Sequence, residues 1–365
     1  MVNFEEVFKN GIEVINTLKN NGYEAYFVGG CVRDYILKTK FNDIDITTSA
    51  RPKEIQRLFP KTLETGIKYG TITIVCNNEN IEVTTYRVDS VSTDQRHPDS
   101  VEFENNAKKD VLRRDFTING ILMDENFAIF DFCGGQKDLS NKLIRTIGEP
   151  SERFNEDLLR MLRAFYFQSK LGFQIEKKTR EAIYNLRDKV SKVSKERVLT
   201  ELIKIIKHPN FNLACKSMVL TQIHNCLPGL AKGIEFFSNN NIKPTVDVFF
   251  IASFYLNGES VLDFYNFSNL HKNLYYQTYD VIKARSYLEV TSLFKYGLLI
   301  CKLANTISNM LGYDIRRSDE IEKKYNKLPI KSEMDINISG DQIIKFAGKK
   351  PGAWVSKTIN LIVNK

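Results

Sequence analysis

The sequence predicts an α+β fold over the first part of the chain and an all-helical remainder. The first ground is the order of elements, in which a helix, a strand, a glycine turn with a helix, a second strand, a helix and a hairpin follow one another. The second is that strand-like alternation fades after Pro150, where we place the boundary of the first domain. The third is that the apolar runs of the C-terminal half are too short to be membrane spans, so we expect them to form a helical core.

The chain opens with a helix and a strand. Apolar residues recur near helical spacing over residues 4–20, and Asn21-Gly22 closes this helix. Residues 26–28 have the apolar character of the end of a buried strand, and residues 32–37 suit the start of a second helix. The Gly29-Gly30 pair between them permits a tight turn with close approach of the backbone.

A helix and a hairpin complete the predicted head. Pro52 stands at a position that is tolerated in the first turn of a helix. Strand-like segments follow at 71–75 and 81–85, joined by the turn-forming pair Asn77-Asn78. We expect the second of these strands to pair beside the strand at 43–46.

The stretch from residue 26 to residue 47 contains the candidate catalytic centre. Gly29 and Gly30 precede a helix N-terminus, whose unbonded N–H groups suit a phosphate. Strand alternation points Asp43 and Asp45 to one face, where two carboxylates repel each other unless a cation lies between them. We therefore predict a nucleotide and metal site in which the glycine amides and Arg33 hold phosphates. Asp43 and Asp45 are expected to bind Mg²⁺, which prefers hard oxygen ligands.

Each half of this pattern has a simpler meaning when it stands alone. A GG pair before a helix is usually an ordinary turn, and a DxD pair is usually a solvated strand edge. Their order and their proximity favour the site. Glu82, on the strand expected to pair alongside, is a candidate third metal ligand, and an ordinary partly exposed sheet residue is the simpler alternative.

Two polar segments follow the hairpin. Residues 90–103 contain few core residues and fit a flexible loop over the site. In that loop His97 is a candidate base or, more simply, a solvated histidine. Arg113 and Arg114 place two fixed positive charges before an apolar segment. One guanidinium there can clamp a triphosphate through paired hydrogen bonds, or it can form a surface ion pair with a nearby aspartate.

A long helix is predicted over residues 152–171. Asp157, Arg160 and Arg163 follow at intervals of three and can project from one face, which usually means a solvated charged surface. After a nucleotide site the same pattern has a chemical interpretation. A carboxylate accepts from an amino group and a guanidinium donates to an unprotonated ring nitrogen. The Asp157–Arg160 pair therefore suits cytosine and adenine and rejects uracil and guanine.

Composition favours a polyanionic partner and a reducing compartment. The 365 residues carry a formal net charge of +8 with a pI of about 9.0, which favours nucleic acid as the partner. The six cysteines include no CxxC pair, so we expect free thiols. The N-terminus lacks the features of a signal peptide and no run is apolar enough to span a membrane, which predicts a cytoplasmic protein.

The C-terminal half contributes charge and aromatic residues. Lysine-rich helical surfaces are expected to contact phosphates without regard to nucleic-acid sequence. Tyr275 and Tyr276 are candidate base-stacking residues or, more simply, core aromatics. The sequence indicates no protein partner.

These residues resemble a known family, the bacterial tRNA nucleotidyltransferases or CCA-adding enzymes, in the branch shared with bacterial poly(A) polymerases. Seven ordered blocks over the first 202 residues and two blocks near the C-terminus carry the resemblance. The blocks are VGGCVRD (28–34), NDIDI (42–46), EVTTYR (82–87), RRDFTING (113–120), DFCGGQKDL (131–139), EDLLRMLRA (156–164), KERVLTEL (195–202), ISGDQIIK (338–345) and GKKPGAWV (348–355).

The resemblance implies a fold and an activity. The fold is a catalytic head of the polymerase β type at 1–149, a mixed sheet with helices. A helical neck at 150–207 selects the base, and a body at 208–330 and a tail at 331–365 bind tRNA. The implied activity is the template-independent addition of C, C and A to the 3′ end of tRNA, with CTP and ATP as substrates, two metal ions and release of pyrophosphate.

The resemblance also implies roles for individual residues. The residues expected to bind the incoming nucleotide are Gly29, Gly30, Arg33, Arg114, Asp157, Arg160 and Arg163, with Asp43 and Asp45 as catalytic metal ligands. Many members carry a third arginine one turn after Arg163. This chain has Tyr166 there, which keeps a hydroxyl donor and loses the fixed charge.

Neighbouring activities stay open at this point. CC-adding members typically lack the loop found here at 90–103, which argues against a pure CC-adding enzyme. The tail blocks favour CCA addition over an A-adding transferase or a poly(A) polymerase. A non-catalytic RNA-binding protein is the alternative from another class, and the presence of both Asp43 and Asp45 speaks against it.

Overall fold

The protein comprises two compact units. A computed structural model describes residues 3–41, 43–89, 101–258, 263–331, 340–355, 357 and 358. The first unit is Met1–Leu227 with Ser238–Asn241, and the second is Pro228–Phe237 with Ile242–Lys365. The finer boundaries predicted at 149, 207 and 330 stay predictions.

The first unit is built around a seven-stranded mixed sheet. In spatial order its strands are β3 (Thr62–Gly66), β4 (Thr71–Cys76), β5 (Glu79–Thr85), β2 (Ile44–Thr48), β1 (Ala25–Val28), β8 (Ile121–Met123) and β9 (Ile129–Asp131). Neighbours pair antiparallel except β2 and β5, which are parallel. The parallel pair places Asp45 directly beside Glu82.

Two short strand pairs lie outside this sheet. β6 (Arg87–Asp89) pairs antiparallel with β7 (Val101–Phe103). β10 (Leu143–Ile144) pairs parallel with β11 (Gln174–Ile175). The second pair joins residues on either side of the boundary predicted at 149. Apart from β11, the regular structure described after residue 150 is helical.

Ten α-helices of the first unit pack against the sheet or against one another. They are α1 (Phe4–Asn20), α2 (Gly30–Ile36), α3 (Pro52–Leu58), α4 (Ala107–Leu112), α5 (Gly135–Ser140), α6 (Pro150–Glu156), α7 (Leu159–Leu171), α8 (Lys177–Leu186), α9 (Lys195–Lys207) and α10 (Phe211–Leu220) among the described residues. Short 3₁₀ helices occur at Ile67–Tyr69, Thr117–Asn119, Arg187–Lys192 and Ile223–Cys226.

The second unit is helical around an aromatic core. Its helices are α11 (Ala231–Asn239, in this unit as far as Phe237), α12 (Val246–Asn257), α13 (Asn269–Ala284), α14 (Val290–Met310), α15 (Ser318–Asn326) and α16 (Gly340–Ala347). Phe250 and Tyr275 are buried in the core, and the Tyr275 hydroxyl donates to Asp247 at 2.8 Å. Tyr275 is therefore a core aromatic, while Tyr276 is 38% exposed. No described helix is both long enough and apolar enough to cross a membrane.

Most of the predicted elements of the head are confirmed. The hairpin turns at Asn77 and Asn78, whose φ angles of 48° and 66° are left-handed. Strand β3 was not predicted. The single helix predicted over 152–171 is wrong, because the chain leaves the helix at Asp157, where φ is −149° and ψ is 104°.

Candidate active site

The turn between β1 and α2 brings the backbone close to Asp45. Gly29 has φ 77° and ψ −130°, a conformation that favours glycine. A Cβ atom at Gly29 would lie 3.4 Å from Asp45 Oδ2 and 3.9 Å from Arg114 Nη1. The glycine therefore lets a carboxylate and a guanidinium approach the first turn of α2. The N–H groups of that turn have no partner within the helix.

Strand β2 presents Asp45 as predicted. Ile44 and Ile46 on either side are buried, while Asp45 is half-buried and Asp43, just before the strand, is exposed. The Asp45 carboxylate accepts no hydrogen bond from any residue that the structure describes. The ionised form of this half-buried acid is therefore not stabilised by a hydrogen bond from any described residue.

Burial and the neighbouring charges together raise the pKa of Asp45. Burial raises its pKa to about 6, and the carboxylates of Glu82 and Asp43 add to the rise, while Arg114 and Arg33 oppose it. A cation bound at these carboxylates would relieve the repulsion. The oxygen donors of Asp43 and Asp45 suit a hard divalent ion.

Glu82 lies beside Asp45 in register, and its side chain is exposed. Within the described ranges, no three Asp, Glu, His or Cys side chains form a group that could hold a metal ion. Glu82 thus does not complete such a group with Asp43 and Asp45. Its role as a third ligand stays a prediction.

Arg33 is buried within α2 and holds fixed partners. Its Nε and Nη2 donate to the two carboxylate oxygens of Asp34 at 2.7 and 3.0 Å, and its Nη1 donates to Asn119 Oδ1 at 2.7 Å. Its guanidinium lies 5.5 Å from the centre of the Phe167 ring on α7. These contacts tie α2 to the segment at 113–120 and to α7. Direct phosphate binding by Arg33 stays a prediction.

Arg113 and Arg114 both pair with the buried carboxylate of Asp110. Arg113 donates to Oδ1 at 2.6 Å, and Arg114 donates to Oδ2 at 3.1 Å. Burial alone would raise the pKa of Asp110, but the two guanidiniums hold it below its usual range. The ion-pair alternative is therefore present. Among the described residues the buried Arg114 Nε has no hydrogen-bond partner, and the Arg114 Nη1 lies beside Gly29.

Arg163 is held by a second buried carboxylate of the same segment. Its Nε and Nη2 donate to Asp115 Oδ2 at 2.8 and 2.7 Å. The other oxygen of Asp115 accepts from Asn119 Nδ2 at 3.0 Å, and Asn119 in turn accepts from Arg33. A continuous network thus runs from α2 through the segment at 115–119 to α7.

Asp157 occupies the break between α6 and α7. Its Oδ1 accepts from the Leu159 N–H at 3.1 Å, so the carboxylate caps the start of α7. Both of its oxygens also accept from Arg197 Nη2 on α9, at 3.1 and 2.9 Å. Asp157 and Arg160 therefore lie near each other across a helix start. They do not share the face of one continuous helix.

Arg160 points toward the end of α4. Its Nη1 donates to Glu156 Oε2 at 2.6 Å and to the Arg153 carbonyl at 3.0 Å, and its Nη2 donates to the Arg113 carbonyl at 3.1 Å. The structure thus connects Arg160 to the segment that carries Arg114. The predicted roles of Asp157, Arg160 and Arg163 in nucleotide binding stay predictions.

Several residues that organise this site were not predicted. Arg153, Asn119 and Arg197 hold the predicted residues in place. One sequence signal could have identified Arg153. It is spaced at helical intervals from two other charged residues, Glu156 and Arg160. Tyr166, at the position of the missing arginine, lies with its ring 5.7 Å from Lys204 Nζ. Residues 90–100 of the predicted loop, with His97, lie outside the described residues.

Family models match three parts of the chain. The poly A polymerase head domain matches residues 25–145. The probable RNA and SrmB-binding site of polymerase A matches residues 172–234. Domain 2 of tRNA nucleotidyltransferases matches residues 248–365. The three matches follow the order of the predicted head and helical remainder.

Whole-length relatives agree with these matches. The CCA-adding enzyme of Listeria innocua is 37% identical over 368 residues, which cover 98% of this chain and 93% of the relative. That of Lactobacillus helveticus is 36% identical, with coverages of 98% and 92%. The crystal structure of the Bacillus stearothermophilus CCA-adding enzyme in complex with CTP superposes with a TM-score of 0.85 at 30% identity, covering 98% and 92% of the two chains. This chain therefore belongs to the family of CCA-adding enzymes, the tRNA nucleotidyltransferases.

Proposed function

We propose that this protein adds C, C and A in order to the 3′ end of tRNA, using CTP and ATP without a nucleic-acid template. The observation that carries the chemistry is the Asp45 carboxylate, which accepts no hydrogen bond from the described residues and lies at the Gly29 turn beside Arg114. Relatives that match over 98% of this chain and bear the name CCA-adding enzyme support the choice of product. One of the similar structures contains CTP.

Enzymes of this family generally use a divalent metal ion. We propose that the ion is Mg²⁺ and that Asp43 and Asp45 hold it, because they offer hard oxygen donors. When bound, it supplies positive charge for the triphosphate and acidifies the attacking 3′-hydroxyl. The Gly29 and Gly30 amides, Arg33 and Arg114 bind phosphate oxygens, and the contacts of Arg33 with Asp34 and Asn119 also keep α2 in position. The 3′-hydroxyl attacks the α-phosphorus in line, and pyrophosphate leaves.

Base choice is assigned to Asp157 and Arg160. The carboxylate accepts the amino group of cytosine or adenine, and the guanidinium donates to the adjacent ring nitrogen. Replacing Asp157 by Ala should increase the use of UTP and GTP, and unchanged rejection of both would contradict this assignment. In this proposal residues 1–149 perform the transfer and residues 150–207 choose the base. Residues 208–330 and 331–365 bind tRNA.

One assay separates this function from its neighbours. The protein is incubated with tRNA ending at the discriminator base, after C, or after CC, with CTP and ATP singly and together, and the products are sized. On tRNA ending at the discriminator base, CCA addition requires two added residues with CTP alone and three with both nucleotides, followed by arrest. Extension of only the CC-ended tRNA would indicate an A-adding enzyme, and long A tails a poly(A) polymerase.

Two controls complete the assay. Asp45→Ala and Asp43→Ala should abolish incorporation while tRNA binding persists, and near-normal turnover of either would contradict the metal assignment. EDTA should stop the reaction and excess Mg²⁺ should restore it. Binding without any product from the unmodified protein would identify a non-catalytic RNA-binding protein.

We also propose that the protein works in the cytoplasm. None of the six cysteines forms a disulfide, which suits a reducing compartment.

A further inference from the structure

Arg153 on α6 is bonded at every nitrogen of its guanidinium. Its Nε donates to the Ile147 carbonyl at 3.1 Å, and its Nη2 donates to the Leu112 carbonyl at 2.8 Å. Its Nη1 donates to the Arg113 carbonyl at 3.0 Å and to Glu156 Oε2 at 2.8 Å. The side chain is only 14% exposed. It therefore clamps the end of α4 to the start of α6.

Arg160 uses two of the same acceptors. Both guanidiniums donate to the carbonyl of Arg113, and both donate to Glu156 Oε2. A carbonyl oxygen has two lone pairs, so it can accept from both arginines at once. The Arg113 carbonyl therefore has a second donor whenever one of the two guanidiniums leaves.

The shared carbonyl belongs to the peptide group that joins Arg113 to Arg114. A peptide group is planar, so fixing its oxygen also fixes the direction of the Arg114 N–H, which donates to the Val111 carbonyl at 3.0 Å. From this backbone the Arg114 side chain reaches Asp110 and the neighbourhood of Gly29 and Asp45. The position of Arg114 thus depends on a peptide that Arg153 and Arg160 hold together.

We propose that Arg153 is a positioning residue that lets Arg160 exchange partners without releasing Arg114. This inference rests on the proposed function, in which Arg160 turns toward a base edge. On doing so Arg160 gives up bonds to the Arg113 carbonyl and to Glu156. Arg153 continues to hold both acceptors, so the transfer site keeps its geometry while the base is read.

The test is the variant Arg153→Lys in the full-length protein. A lysine keeps the charge, but its single nitrogen cannot reach the Ile147, Leu112 and Arg113 carbonyls together. Of the two described guanidiniums on the Arg113 carbonyl, Arg160 then remains, so reading a base competes with holding the peptide. We expect kcat with CTP to fall and the ratio of kcat/KM for CTP over UTP to fall about ten-fold. The KM for tRNA should stay unchanged.

The ratio of CTP to UTP separates positioning from folding. Loss of folded protein lowers both rates equally and leaves the ratio unmoved. Arg187→Lys is the matched control, because Arg187 also donates to a backbone carbonyl, that of Tyr184, and its described hydrogen bond is shared with neither Arg153 nor Arg160. Its ratio should match that of the unmodified protein. In an Arg160→Lys background, Arg153→Lys should change the ratio little further, because the group that exchanges partners is already gone.

A ratio within about two-fold of the unmodified protein would overturn the proposal. Should Arg153→Lys fail to fold, Arg153→Gln tests the same idea, because its amide can donate to one carbonyl but cannot hold the Leu112, Arg113 and Ile147 carbonyls together. An unchanged ratio there is equally decisive. Failure of the proposed function is a separate result, visible as absence of incorporation by the unmodified protein.

Discussion

The environment of Asp45 opposes its ionised form, and the resulting cost to stability fits its proposed role as a metal ligand. A carboxylate that is half-buried, receives no hydrogen bond from the described residues and faces Glu82 and Asp43 disfavours its own ionised form. Folding raises its pKa from 3.8 to about 6, so ionising it opposes folding. That cost is absent below about pH 4 and complete above about pH 6.

Replacing Asp45 by Asn should therefore stabilise the metal-free protein while abolishing transfer. The expected gain is about 1–3 kcal/mol near pH 7.5, from about 1.4 kcal/mol per pKa unit, and it should vanish near pH 4. Urea unfolding in EDTA at the two pH values measures it. The exposed Asp43 is the matched control, with Asp43→Asn expected to change stability by less than about 0.5 kcal/mol. Equal stability of Asp45→Asn and the unmodified protein at the higher pH would contradict this account.

Asp115 should show the opposite pH dependence. Burial would raise its pKa, but Arg163 and the Asn119 amide hold it below its usual range, so its ionised form stabilises the fold. Asp115→Asn leaves Arg163 without its carboxylate and should cost about 3 kcal/mol near pH 7. The difference should shrink as pH falls below about 4, because Asp115 in the unmodified protein then becomes protonated.

Denaturant unfolding across pH measures this difference. Glu181→Gln, which breaks only the exposed 3.8 Å contact with Lys177, should cost less than about 0.5 kcal/mol at any pH. A pH-independent penalty for Asp115→Asn would exclude the ion pair as its source.

At the scale of elements, the break between α6 and α7 marks the limit of prediction from the sequence. The spacing of apolar residues over 152–171 fits one continuous helix. The helix propensities of Asp157 and Leu158 are not low enough to predict a break there. The break is stabilised by contacts that spacing does not show, namely the Asp157 cap on Leu159 and its pairing with Arg197. The β2 strand, by contrast, was predictable because alternation alone decides which of its side chains are buried.

The cap can be separated from the ion pair by two substitutions. Asp157→Asn keeps an oxygen acceptor for the Leu159 N–H and loses the charge opposite Arg197, so it should cost at most about 1 kcal/mol. Asp157→Ala loses the acceptor as well and should cost about 1 kcal/mol more. Urea unfolding of both variants measures the difference. Equal losses would show that the cap contributes nothing to α7.

At the scale of the whole molecule, the sequence was a better guide to the architecture and to the candidate site residues than to the ion pairs among those residues. The α+β order of the head, the pairing of β5 beside β2 and the helical remainder were predicted from periodicity and turn residues. The mixed sheet was implied by the family resemblance, and the parallel direction of the β2–β5 pair was not predicted. The carboxylates and the arginines of the site were also identifiable. Which arginine pairs with which aspartate was not, because Asp110, Asp115 and Asp34 are all short-range candidates and only the packing of α2, α4 and α7 decides among them.

The net charge of +8 predicts how tRNA binding responds to salt. Each phosphate neutralised by Lys or Arg releases counterions, so log affinity should fall linearly with log salt. We expect tRNA affinity to fall at least about ten-fold between about 50 and 200 mM salt. Filter binding with Asp45→Ala, which we expect to be inactive, measures this without product formation. An affinity independent of salt would show that phosphate contacts do not dominate.

The clamp formed by Arg153 and Arg160 has a consequence for how sequences of this family diverge. Its acceptors at Leu112, Arg113 and Ile147 are backbone carbonyls, which every amino acid possesses. Leu112 or Ile147 can therefore change without loss of the bond and without a compensating change at Arg153. Methods that infer contacts from correlated substitutions will not detect these pairs, although the pairs lie between the groups proposed to select the base and to bind phosphate.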